Sequence, residues 1–129
     1  MALCSRLLLA LAGLMGAAGV GLSAYAAHAD GGPNLMTAAT FLMIHAAAVA
    51  GLSASAPPRR GLLLAASLIV LGALLFSGDI AMRALSGTTL WRMAAPTGGM
   101  VLILGWLWLA GAALIGRRDR APEHSETTR

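Results

Sequence analysis

Four long apolar runs, separated by short polar stretches, leave this chain one class of fold. They cover residues 7–27, 35–56, 61–84 and 93–116, and each is long enough to cross a hydrocarbon core of about 30 Å. In lipid every backbone N–H and C=O must be paired within the protein, so runs of this length are helices. Only 11% of the residues are charged, against roughly 25% in a soluble domain. So few charges cannot solvate the surface of a small globule. The expected fold is an all-α, integral membrane four-helix bundle with the lipid bilayer as its surroundings, followed by a polar tail at 117–129.

The placement of the charges says more than their number. The net charge is +4, but most of the arginines flank apolar runs, which reads as membrane topology rather than nucleic-acid binding. Arg6, the Arg59-Arg60 pair and the Arg117/Arg118/Arg120 cluster fall on one side of a four-span chain. The other side has no lysine or arginine in its first loop and only Arg83 and Arg92 near its second. The positive-inside rule then puts both termini in the cytoplasm. Arginine without lysine, with abundant alanine and glycine, suggests a bacterial source, and hence a multi-pass protein of the bacterial inner membrane. A cleaved signal peptide ending at Ala27-His28-Ala29 is the rival reading of the first run. It leaves the orientation unchanged, and the run is longer than the 7–15 residues such a segment normally has. The single cysteine, Cys4, excludes an internal disulfide framework.

Helical rise of about 1.5 Å per residue sorts the polar residues by depth. Asp79 lies about 28 Å beyond Arg60, His28 about 33 Å beyond Arg6, and Pro96 about 32 Å before Arg117. Those helix ends therefore meet at one level, the side away from the termini. Asp79 and Arg83, at i and i+4, form a local ion pair with the arginine snorkelling outward. Alternatively Asp79 faces the bundle and accepts a bond from His28 or His45. His45 sits near mid-membrane, about 15 Å into the second run. A charged imidazolium is expensive there, so a neutral ring is expected, and its N–H needs an acceptor. Carbonyls near Gly72 or Gly98–Gly99, and the hydroxyls of Ser67 and Ser77, are the candidates on facing helices. A proton relay or a lipid-facing ring are the other readings. His28, His45, Ser77, Asp79 and Arg83 thus form the candidate polar site. Gly13, Ala17 and Gly21 recur every four residues, a stripe that lets another helix approach closely, and Gly98 and Gly99 read the same way. No ligand pair has metal spacing, no nucleophile lies beside a base, and no cofactor motif is present. An enzyme is not expected.

These same residues carry a resemblance. The chain resembles the domain-of-unknown-function 423 family of small four-span membrane proteins, which also holds vertebrate transmembrane protein 256. The first-helix Gly-Ala-x-Gly-Ala-His pattern of that family is met by Ser23-Ala24-Tyr25-Ala26-Ala27-His28, with the histidine and both alanines kept and the glycines replaced by Ser23 and Ala26. The second-helix pattern runs from Ala38 through Phe41 to His45-Ala46. Leu75-Phe76-Ser77-Gly78-Asp79 stands for Leu-Phe-Ser-Gly-Ser, and Pro96-Thr97-Gly98-Gly99 with Gly105-Trp106 completes the fourth helix. Asp79 replaces the usual serine, so a site built on small neutral groups is altered here. The resemblance implies a four-helix membrane protein and supplies no catalytic residues.

Two functions follow as expectations. The first is a structural or partner-binding membrane protein, its partner a second copy or another membrane protein. The second is a transporter or channel-like protein for protons or a small solute, using His45, His28 and Asp79. If both central polar groups face one cavity, transport gains. If each bonds within its own helix pair, the structural reading gains.

Overall fold

The computed structural model describes residues 2–28, 32–54 and 59–115. It contains four helices: α1 (Ala2–His28), α2 (Gly32–Ser53), α3 (Arg60–Ser86) and α4 (Ala94–Ile115). Among the described residues there is no strand. All four helices are long and apolar enough to span a membrane. Leu, Ala, Ile, Val and Met dominate them, and a helix is the conformation that pairs their backbone groups without water.

The helix ends differ from the sequence expectation by a few residues. The second span was expected over 35–56. The helix instead starts at Gly32, with Pro33 as its second residue, where a missing N–H costs nothing. It ends at Ser53, with Ala54 in a turn. At the other end of α3, Gly87 takes a left-handed conformation (φ 70°) and donates its N–H to the Arg83 carbonyl. That is a glycine C-cap, and it turns the chain toward α4. The tail expected at 117–129 lies outside the described residues.

Each helix packs on its neighbour in sequence: α1 on α2, α2 on α3, α3 on α4. A lesser contact joins α1 to α3, while the backbone of α4 comes close to α3 only and reaches α2 through the Trp106 side chain. The main core gathers Leu8, Ala12 and Met15 of α1, Leu42 and Val49 of α2, and Ile69 and Ala73 of α3. The α3–α4 seam is built on glycines. A methyl group on Gly72 would lie 2.8 Å from the Gly98 carbonyl oxygen and 2.7 Å from the Leu102 nitrogen. Gly98 in turn abuts the Phe76 backbone, and Gly105 abuts Ile69. Trp108 adds a bond from its indole N–H to the Gly61 carbonyl, 3.1 Å away.

The stripe expected to pack in α1 does not. Gly13, Ala17 and Gly21 are all exposed, and nothing lies within 4 Å of a methyl group built on Gly13 or Gly21. The close approach to α2 is made by Gly19, whose added methyl would meet the Ala39 carbonyl oxygen at 3.0 Å. The reason is the solvent. A membrane helix is apolar on every side, so no change of polarity marks the face that packs.

Candidate functional site

Asp79 is fully buried, although it lies only seven residues, or about 10 Å, from the end of α3. Its two oxygens are both used. Oδ2 accepts from Arg83 Nη2 at 2.8 Å, one helical turn on. Oδ1 accepts from the backbone N–H of Leu90, also at 2.8 Å, in the loop between α3 and α4. One carboxylate therefore holds a side chain of its own helix and the loop that starts the next. The Arg83 side chain stays 54% exposed, so most of its N–H donors point away from the pair.

Above this carboxylate is a half-open cleft of about 460 Å³. Asn34 and Thr37 of α2, Asp79, Ile80, Arg83 and Ala84 of α3, and Arg92, Ala95 and Pro96 before and within α4 form its walls. It exists because α4 leans on α3 and leaves space beside α2. Arg83 and Arg92 oppose one carboxylate, so the cleft is net positive. The first turns of α2 and α4 also border it, and a helix N-terminus carries partial positive charge.

His45 is somewhere else. It is 7% exposed and its Nδ1 lies 2.7 Å from the Phe41 carbonyl, one turn back on its own helix. A carbonyl only accepts, so Nδ1 is the donor in this bond. The ring stacks on Phe41 at 5.6 Å, and the edge of Trp106 from α4 meets it at 6.1 Å. Phe76 of α3 packs on Phe41. The acceptor expected on a facing helix is thus replaced by a main-chain oxygen of α2, and the interhelical contact is aromatic.

Of the five expected polar-site residues, only Asp79 and Arg83 meet. Neither His28 nor His45 bonds Asp79. His28 is exposed at the end of α1 and is not part of the cleft wall. Ser77 is fully buried and its hydroxyl has no hydrogen-bond partner. Among the described residues no three His, Cys, Asp or Glu side chains gather as metal ligands. Sequence reasoning missed Asn34, Thr37 and Arg92 as cleft residues and Leu90 as a partner. Arg92 entered the sequence argument only as a charge bearing on topology. The joint membership of Asn34, Thr37 and Arg92 in one wall has no sequence signal.

Four helices able to span a membrane, with a buried carboxylate paired to an arginine near the end of α3, define a small multi-pass integral membrane protein. The comparisons with known proteins agree in detail. The chain belongs to the family described as proteins of unknown function, DUF423, which it matches over residues 15–99. It is 30% identical to the UPF0382 inner membrane protein YgdD of Escherichia coli strain K12, across 92% of this chain and 98% of that protein. The same identity and coverage hold for the Shigella flexneri protein. This chain is likewise an inner-membrane protein. No solved structure matches it.

Proposed function

We propose that this chain is a structural or partner-binding component of the inner membrane, without catalytic activity and with both termini in the cytoplasm. The observation that carries the reading is how its two central polar groups are used. His45 bonds its own helix at Phe41, and Asp79 bonds Arg83 and the Leu90 amide. Each is satisfied locally and His45 is not part of the cleft wall, which favours a fixed role over a proton or solute path. The partner is a second copy or another membrane protein. The exposed Gly13/Ala17/Gly21 stripe on α1 supports this part, because small residues let a foreign helix come close.

Site-directed crosslinking in native membranes tests it. Cys4 is exposed and is first changed to serine. A cysteine at Ala17 should then give one discrete larger product, and a cysteine at Met100, on the outer face of α4, should not. Equal products from both positions would contradict the reading. For the orientation, reporters after Arg60 and Arg120 should report cytoplasm and one inserted at Gly32 periplasm.

A further inference from the structure

We propose that the cleft above Asp79 binds the phosphate of an anionic phospholipid headgroup, clamped between Arg83 and Arg92. The cleft has the size of a small-molecule site, which typically spans roughly 300–1,000 Å³. It lies where α2 and α4 begin and α3 ends, so its mouth is at headgroup level and its floor reaches the edge of the hydrocarbon. Its chemistry changes over that depth. Arg83, Arg92, Asn34 and Thr37 supply cationic and polar groups, and Ile80, Ala84, Ala95 and Pro96 supply apolar wall. A ligand matching that profile has an anionic head and an apolar body.

Asp79 is what makes the cationic pair a site rather than two loose side chains. Its carboxylate fixes Arg83 through Oδ2 and the Leu90 amide through Oδ1. Arg92 stands two residues after that amide, on the loop that the same buried carboxylate holds. Arg83 spends one of five N–H donors on Asp79, and among the described residues Arg92 makes no ion pair. Two guanidinium groups with free donors suit a phosphate, which accepts such bonds in pairs. The positive ends of α2 and α4 add to the same field. Asp79 subtracts one charge, which leaves the cleft suited to a phosphodiester monoanion. This inference does not depend on the partner-binding reading and can fail without it.

The test uses the full-length protein, purified in neutral detergent and stripped of lipid. Short-chain phosphatidylglycerol, phosphatidylcholine with the same chains, and inorganic phosphate are titrated separately, with retained ligand read by native mass spectrometry. Saturable 1:1 binding of phosphatidylglycerol, with weaker binding of phosphatidylcholine and none of phosphate, is expected. Arg92→Gln should weaken phosphatidylglycerol binding about tenfold, the loss expected for a hydrogen bond to a charged group. Arg92→Lys should restore part of it, since the charge returns but the planar fork does not. Arg92 is exposed at a loop position, so the variant should fold, and its melting temperature without lipid checks this. Equal binding of inorganic phosphate would overturn the lipid as the source. Equal affinity for both lipids, or an affinity indifferent to Arg92→Gln, would overturn the site.

Discussion

The α3–α4 seam and the outer face of α1 carry the same kind of small-residue pattern and put it to opposite use. At the seam, Gly72 and Gly98 bring two backbones together so closely that one methyl group would collide with main-chain atoms on the other helix. On α1, Gly13 and Gly21 face open space. A stripe of small residues says where close approach is permitted. Whether the approach is made within the chain depends on which face the neighbouring helices occupy.

The comparison breaks most easily at Gly98. Gly98→Leu should cost about 3 kcal/mol or more, because overpacking here displaces backbone rather than a flexible side chain. Thermal unfolding in detergent measures it. A loss no larger than that of Gly21→Leu would erase the distinction between the two regions.

Next comes the loop that the seam helices share. Asp79→Ala should speed hydrogen exchange at the Leu90 amide by removing its acceptor. Asp79→Asn keeps an acceptor oxygen and should retain most of the protection, although the Arg83 pair is lost. Both variants should be less damaging than Gly98→Leu. If the Leu90 amide exchanges equally in all three proteins, the loop is not held by this carboxylate.

His45→Leu is expected to cost less again, about 0.6 kcal/mol and at most about 1.7, the range of polar contacts within membranes. The Phe41 carbonyl that it bonds already accepts a ladder bond from its own helix, so no acceptor is orphaned. His45→Gln should cost less than His45→Leu, as judged by melting temperature. A cost several times larger would mean that His45 holds a second helix by more than its contact with Trp106. The smallest effect belongs to Gly21→Leu, within about 0.5 kcal/mol in the isolated protein, as for an open surface site. In native membranes the same substitution should remove the crosslink through Ala17. Destabilisation of the isolated protein would place Gly21 at an intramolecular contact after all.

What could be seen in the sequence follows the physics of each feature. The four spans were legible because lipid forces long apolar runs into helices. The Asp79–Arg83 pair was legible because i,i+4 spacing acts within one helix. The face of α1 that packs was not, since Gly19 and Gly21 are equally apolar and only the position of α2 separates them. The His45 acceptor was misplaced for a related reason. A donor at mid-membrane is satisfied by whichever oxygen is nearest, and a carbonyl one turn back needs no second helix. The cleft needed three elements, so Asn34, Thr37 and Arg92 could not be joined to Asp79 from spacing alone.

That the backbone of α4 packs closely on α3 only, and that among the described residues α1 and α4 do not meet, also bears on assembly. Pairing distant segments requires closing a long loop before any contact repays the entropy. Here each helix after the first packs against the segment made just before it. A chain inserted from its N-terminus can therefore dock one helix at a time, with α4 last, and never has to wait for its two ends to find each other.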